Sequence, residues 1–336
     1  MKKLAVLLPT YNASLYLKSS IDSLLQQTFT DFDIYVYDDC STDTTEEIIR
    51  SFNHSRIFYR KNVSNVGIAK TLNKGLEELL FQYEYIARMD ADDWCFPERF
   101  EKQLQLLDRN VQTVVCGTQG YWLKDMELNP QKGWIYPIDP LYIKYYLLFA
   151  ATFGHSSIIL RSQSFIDFNL KYDETIVTCE DWDLWVRISK IGEMVNLPDF
   201  LMKYRILENS NHRSPEKIKK HLEERSKIIS NYWMDLGQNI TEQEIFVLYF
   251  GGEENSRKSF FFKIRKLIVA FNIIYFNANK SLSSNDSKDF SYLLARKMLN
   301  YWKRSGASRF DPMVWFLIIK EVQFRKKIKL IKSIIR

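Results

Sequence analysis

No glycine-rich G-x-G-x-x-G follows the first apolar run, and no G-x-x-x-x-G-K-[ST] occurs anywhere in the 336 residues. Neither common glycine-loop cradle for phosphate is therefore available, and phosphates bound here would need a metal to neutralise them. Long hydrophobic runs are missing as well: Leu267 to Phe276 is broken by Asn272, and Met313 to Ile319 is short. Both fall below the roughly 18 to 20 residues that span a bilayer, so the chain is not expected to cross a membrane. Cysteine is scarce and scattered, with Cys40, Cys95, Cys116 and Cys179 showing no Cys-x-x-Cys spacing, and the chain opens without a signal peptide. That excludes a disulfide framework and points to a reduced cytoplasm.

Charge, by contrast, is plentiful and unevenly placed. The net +6 combines a stretch from 257 to 336 holding 19 Lys and Arg against 4 acids with a first 256 residues at -9. Two parts with different surroundings follow, one main domain and an appendage, which we set at 1–240 and 241–336.

Strand and helix patterns alternate through the first part. Leu4 to Leu8 is a continuous apolar run ending at Pro9, after which Leu15, Ile21, Leu24 and Leu25 recur near helical spacing. The unit repeats as Phe32 to Tyr37 with a helix over 44–52, Arg56 to Arg60 with a helix over 68–81, and then Tyr85 to Met89. Four such alternations predict an α/β fold with a mostly parallel central sheet flanked by helices, and ligands in such sheets bind outside the carboxyl ends of the strands. Strand-like segments at 113–116 and 157–160 are expected to extend that sheet. Basic, aromatic helices are expected over 258–276, 290–304 and 313–335.

The residues after each strand carry the chemistry. Tyr85-Ile86-Ala87-Arg88-Met89-Asp90-Ala91-Asp92-Asp93 runs a buried strand into three carboxylates within four residues. Acids that close raise one another's pKa unless a cation sits between them, and hard oxygen ligands select Mg2+ or Mn2+. Asp90 and Asp92 are the first candidates, against the alternative of an ordinary acidic loop. Asp38 and Asp39, after the second strand, offer acceptors for a pyrimidine N–H or simply cap the next helix. Glu180 and Asp181 open a further predicted helix, where a carboxylate could take a proton from an attacking hydroxyl or merely face the helix dipole.

Five motifs stand in order: Leu8-Pro9-Thr10-Tyr11-Asn12, Tyr37-Asp38-Asp39-Cys40-Ser41-Thr42-Asp43, Asn65-x-Gly67 with Asn73-Lys74-Gly75, Asp90-Ala91-Asp92-Asp93, and Glu180-Asp181. Together they make the chain resemble glycosyltransferase family 2, from Leu4 to about Ser210, roughly 60% of its length. The resemblance implies the GT-A fold and an inverting, metal-dependent transfer from a UDP-sugar. It implies nucleotide-sugar contacts from Pro9, Thr10, Tyr11, Asn12, Asp38, Asp39, Asn65, Gly67, Lys70, Asn73, Asp90 and Ala91, with Asp39 on uracil. It further implies Asp92 as ligand of Mn2+ or Mg2+, Asp181 as catalytic base, and His155, Glu180 and Trp182 on the acceptor side. His155 is equally readable as a structural histidine, and Trp185, three residues from Trp182, reads as core.

Where related sequences carry Tyr-Arg-x-His-x-x-Ser, this chain has Tyr204-Arg205-Ile206-Leu207-Glu208-Asn209-Ser210, so His212 is the candidate replacement for the absent histidine. The Gln-x-x-Arg-Trp motif and membrane helices of processive synthases are missing, which favours transfer of a single sugar. The chain looks most like lipo-oligosaccharide β-1,3-N-acetylglucosaminyltransferases acting on galactose. A UDP-glucose or UDP-galactose enzyme of the same family, and a non-catalytic nucleotide-sugar-binding or scaffold protein, are the alternatives. Nucleic acid is not an expected partner, because the first part is acidic and the tail lacks a recognition motif.

Arg325-Lys326-Lys327-Ile328-Lys329-Leu330-Ile331-Lys332 alternates charge with apolar side chains. Such a segment suits an anionic inner-leaflet surface or packs on the catalytic domain. Deleting 257–336 is expected to abolish co-sedimentation with anionic vesicles, and equal pelleting of the full and shortened chains would leave only the packing reading.

Overall fold

The computed structural model describes residues 2–124, 133–206 and 214–250, with side chains through residue 246. The helices expected beyond residue 257 lie outside those residues. β1 (Lys2–Thr10), α1 (Leu17–Leu25), β2 (Phe32–Asp38), α2 (Thr45–Ser51), β3 (Ile57–Lys61), α3 (Ile68–Leu79) and β4 (Tyr83–Arg88) form the four alternations. β1 pairs in parallel with β2 on one side and β4 on the other, and β3 lies beyond β2. β1 is buried from Leu4 onward and β2 along its whole length, which is why both read as unbroken apolar runs: such strands are covered on both faces. α1 turns Leu17, Ile21 and Leu24 inward, and α3 does the same with Ala69, Leu72, Leu76 and Leu79.

The second half is less regular. It contains β5 (Trp94–Cys95), α4 (Arg99–Arg109), β6 (Thr113–Lys124), β7 (Gly133–Trp134), α5 (Pro140–Tyr146), a 3-10 turn at His155–Ser157, β8 (Ile159–Arg161), α6 (Ser162–Asp167), α7 (Glu180–Ile188) and β9 (Glu193–Ile206). β8 wedges between β4 and β6 and runs against both, whereas β6 and β9 pair in parallel and β5 closes that edge antiparallel to β9. The sheet is thus parallel on one side of β4 and mixed on the other.

β9 carries no clear strand signal in the sequence, because Pro198 interrupts it. The pairing steps over the interruption, with Thr118 opposite Leu197 and Gln119 opposite Phe200, so Pro198 and Asp199 bulge out where no N–H is needed.

The chain divides into two compact units, Met1–His221 and Leu222–Arg336. α8 (Pro215–Asp235) runs through the division and is followed by α9 (Glu242–Phe250). In the second unit Ile228, Ile229, Tyr232 and Trp233 are buried, and Ser230 Oγ donates to the Ile240 carbonyl at 2.6 Å. No helix among the described residues is long and apolar enough to cross a membrane.

One close approach fixes the mixed half. A Cβ on Gly120 of β6 would lie 2.2 Å from the Trp134 ring and 2.9 Å from the Met202 carbonyl. Gly120→Ala is therefore expected to lower stability by about 1 to 3 kcal/mol through overpacking, measured by urea denaturation.

Candidate active site

The strand order reverses at β1, whose neighbours β2 and β4 lead away on opposite sides, and a crevice opens beyond their carboxyl ends. A cavity of about 440 Å³ fills it, lined by Pro9, Thr10, Tyr11, Asn12, Ala13 and Tyr16 after β1, Asp39 after β2, Asn65, Gly67, Ile68 and Thr71 around the start of α3, Asp90, Ala91 and Asp92 after β4, and Lys217 of α8. Ten residues expected at the nucleotide sugar or metal are therefore in one wall.

The loops are stitched to one another by short side chains. Asn12 has φ of 49°, in the left-handed region that asparagine tolerates, and its Oδ1 accepts the Thr42 N–H at 2.9 Å. Its own N–H donates to Ser41 Oγ at 2.9 Å. Asp39 Oδ1 accepts from Asn62 Nδ2 and the Val66 N–H, and Oδ2 from the Gly67 N–H, each at 2.8 Å. Gly67 sits at φ of 90°, a conformation that needs glycine. A carboxylate has about four lone-pair sites, so Asp39 orders the 65–67 loop and retains capacity on Oδ2 for a ligand N–H.

Three expected contacts fall elsewhere. Asp38 is 0% exposed and does not line the cavity; Ser41 N–H (2.8 Å), Ser41 Oγ (2.6 Å) and Tyr59 OH (2.6 Å) occupy its oxygens. Adjacent strand residues point to opposite faces, and Asp38 points into the protein. Asn73 is turned to the 172–174 segment, bonding Tyr172 O, Tyr172 N and Glu174 Oε1. Lys70 is exposed on α3 and outside the lining. His212 and Leu207 lie outside the described residues.

The acids after β4 form the densest charge in the site. Asp90, Asp92 and Asp93 offer carboxylate oxygens within 4.8 Å of one another. Asp90 Oδ2 is paired with Arg88 Nη1, and the Asp90 N–H donates to Ser156 Oγ at 2.7 Å. Asp93 is 1% exposed; its Oδ1 accepts the Arg205 N–H at 2.9 Å and its Oδ2 has no hydrogen-bond partner among the described residues. Burial, then the charge of Asp90, pushes Asp92 up to about 6, and burial followed by Asp92 and Asp90 pushes Asp93 well above the usual carboxylate range. A buried unpaired oxygen and a surplus of crowded hard donors fit a divalent cation such as Mg2+ or Mn2+. Asp93 is a member of this cluster that the motif reading left out, although its adjacency to Asp92 was visible.

Glu180 and Asp181 begin α7 after Cys179. Asp181 Oδ1 accepts the Trp182 N–H at 2.7 Å. Burial raises the Asp181 carboxyl above its ordinary value, opposed by that N–H and by Arg88. Glu180 is pushed to about 8, first by burial and then by Asp181. The base candidate is therefore a buried carboxyl whose proton affinity is raised by its surroundings.

Residues 5–168 match the family model described as Glycosyl transferase family 2. A protein described as an uncharacterized glycosyltransferase of Methanocaldococcus jannaschii is 33% identical over 226 residues, covering 64% of this chain and 74% of that one. The chain belongs to glycosyl transferase family 2. AmsE, an amylovoran biosynthesis glycosyltransferase of Erwinia amylovora, is 31% identical over 60% of this family 2 chain and 75% of its own. Among solved structures, S. aureus TarS 1-349 in complex with UDP-GlcNAc superposes with a TM-score of 0.56 at 17% identity, over 99% of this chain and 90% of that one. The fold is accordingly GT-A, a mixed sheet flanked by helices, and the protein is a glycosyltransferase.

Trp182, expected to face the acceptor, is 4% exposed with its indole N–H on the Leu147 carbonyl at 2.9 Å. It is packed away rather than presented to a sugar. Trp185, the residue read as core, is fully buried against Phe153 and His155. His155 Nε2 lies 2.8 Å from Tyr172 OH, and burial holds the imidazole well below its usual pKa, so it is neutral. Two phenols feel the base: Tyr136 is raised to about 12 by burial and then by Asp181, and Tyr172 is raised by burial with Glu180 and Asp181 adding to it against Arg88.

The Glu180–Asp181 pair gives a pH signature for this family 2 enzyme. Glu180 rises from 4.5 in the unfolded chain to about 8 when folded, so the folded state holds more protons between those values and stability falls as pH rises through that window. Glu180→Gln is expected to flatten that loss, giving a Tm gain over the wild type at pH 8 that shrinks at pH 5. Parallel curves for the two proteins in thermal melts would contradict it.

Proposed function

We propose that this glycosyltransferase is an inverting, divalent-metal-dependent β-glycosyltransferase that moves a hexose or N-acetylhexosamine from a UDP-sugar to a bacterial surface glycan. GlcNAc placed β-1,3 on galactose, in lipo-oligosaccharide, O-antigen or capsule, is the leading assignment. The observation that carries the reading is the single cavity in which Thr10, Asp39, Asp90 and Asp92 meet, with the Glu180–Asp181 pair within reach of the Asp90 and Arg88 charges. TarS solved with UDP-GlcNAc supports the donor class, and the amylovoran role in the description of AmsE supports glycan assembly.

Asp39 receives the uracil N–H on its remaining oxygen capacity, while the Pro9–Asn12 loop covers the nucleoside. Asp90, Asp92 and Asp93 would hold the metal, which when bound supplies Lewis-acid stabilisation of charge on the departing diphosphate. Burial and their mutual repulsion raise both Glu180 and Asp181, which favours one proton held by the pair and leaves one carboxylate ionised. Asp181, its pKa raised by burial, removes the proton of the acceptor hydroxyl as that oxygen attacks the sugar carbon from the face opposite the diphosphate. Attack from that face turns an α-linked donor into a β-linked product. The catalytic domain spans 1–240, and the basic 241–336 region holds the enzyme at the inner leaflet of the cytoplasmic membrane, near a glycolipid acceptor.

The deciding assay is UDP release with Mn2+ across UDP-sugars and galactose- or glucose-terminated acceptors. Acceptor-dependent release is expected from the wild type, lost with a chelator and restored by Mn2+. Asp181→Asn is expected to lower it by about 100-fold or more, the scale of a lost general base. A wild type that binds UDP yet releases none with any pair would count against catalysis.

A further inference from the structure

The cavity has a charge problem that the residues so far do not solve. Its lining includes the acids Asp39, Asp90 and Asp92, and Lys217 is the one cationic side chain in that lining among the described residues. Two buried cations adjoin the space without lining it: Arg88 is turned to Asp90 and Ser156, and Arg205 donates through Nε to the Asp92 carbonyl and lies over the Tyr16 ring. A diphosphate entering here adds its own negative charge to a wall that is already acidic. A metal held by the carboxylates offsets only what those carboxylates and the nearer phosphate bring to it.

We propose that Lys217 is the diphosphate-binding cation of this site, gripping the phosphates of the nucleotide sugar. The inference rests on reading the cavity as a nucleotide-diphosphate site. Lys217 is the third residue of α8, exposed, with its backbone N–H on Ser214 Oγ at 3.3 Å and no side-chain ion pair among the described residues. Its immediate neighbour Glu216 and the following Lys219 and Lys220 do not line the cavity, so the helix presents one charge of one sign to it. A compact ammonium on a flexible four-carbon stem suits phosphate oxygens as a point charge, without the fixed fork that arginine brings. The same contact strengthens as charge builds on the leaving diphosphate, which makes Lys217 a binding residue whose loss affects both the donor complex and its breakdown.

The test compares UDP with uridine, which shares the base and ribose but lacks the phosphates. Both are titrated into the full-length wild type, Lys217→Gln and Lys217→Arg in the presence of Mn2+, by calorimetry for UDP and ligand-observed NMR for uridine. Lys217→Gln is expected to weaken UDP about tenfold, the scale of one charge-assisted contact, and to leave uridine unchanged. Lys217→Arg is expected to recover most of the UDP affinity, and the difference between wild type and Lys217→Gln is expected to shrink as salt is raised. Unchanged UDP affinity in Lys217→Gln, or an equal loss for uridine, overturns the role of Lys217 while leaving the nucleotide site standing. A wild type that binds neither ligand overturns the nucleotide reading and Lys217 with it.

Discussion

A parallel strand that ends in three carboxylates can fold only if something buried holds them, and Arg88 is that group. It is almost fully buried, pairs with Asp90 Oδ2 and donates to Ser156 Oγ at 3.0 Å, so one side chain fixes both the acid and the turn that faces it. Burial works against the guanidinium charge, and Asp90 beside it more than offsets that cost. A second buried arginine supports the first: Arg99 Nη2 donates to the carbonyls of Arg88 and Ile158 at 2.9 and 3.1 Å. Gln103 continues the polar spine to the Cys116 and Ser157 carbonyls. Buried polar networks of this kind hold one geometry because every alternative leaves a desolvated group unpaired. β4, β8 and β6 are thereby locked at the point where the parallel and mixed halves of the sheet join.

That lock also joins two chemistries. Arg88 lowers, and Asp90 raises, the proton affinity of both Glu180 and Asp181, so the acids after β4 and the acids opening α7 share one electrostatic environment. Charge placed on one set is felt by the other through a region from which water is largely excluded. Arg205, from β9, completes the frame by donating to the Asp92 carbonyl through Nε and to Asp93 Oδ1 through its backbone N–H, both at 2.9 Å. The irregular strand with the bulge at Pro198 is therefore the one that carries the far support of the acid cluster.

Aromatic residues divide by the same logic of burial. Trp182 and Trp185 follow the base on one helix, and both are consumed by the core. A different set, Trp122, Trp134, Tyr136 and Tyr204, packs edge to face and tilted around β6, β7 and β9, with the Trp122 and Trp134 centroids 4.9 Å apart. Tyr204 at one end is raised by burial and then by Asp93, Asp90 and Asp92, and Tyr136 at the other by burial and then by Asp181. These rings come from segments far apart in the chain, so no local spacing announces the cluster.

Local pattern was enough for the alternation of β1 through β4 with their helices, because apolar runs and helical spacing are properties of neighbouring residues. It was enough, too, for the acids of Asp90 to Asp93 and Glu180-Asp181, since crowded carboxylates are legible wherever they occur. The sequence by itself therefore determined which chemistry the chain can offer and on which ends of which strands. Only the tertiary structure decided that Asp39 faces the cavity while Asp38 is sealed against Ser41 and Tyr59, because strand alternation says that two neighbours point apart and not which side is open. It likewise decided that β8 runs against its neighbours, that Trp182 turns inward, and that Lys217 of α8 reaches the wall formed by β1, β2 and β4. Those outcomes depend on contacts between residues distant along the chain, whose energies are set by packing and shared burial rather than by any spacing that a single sequence displays.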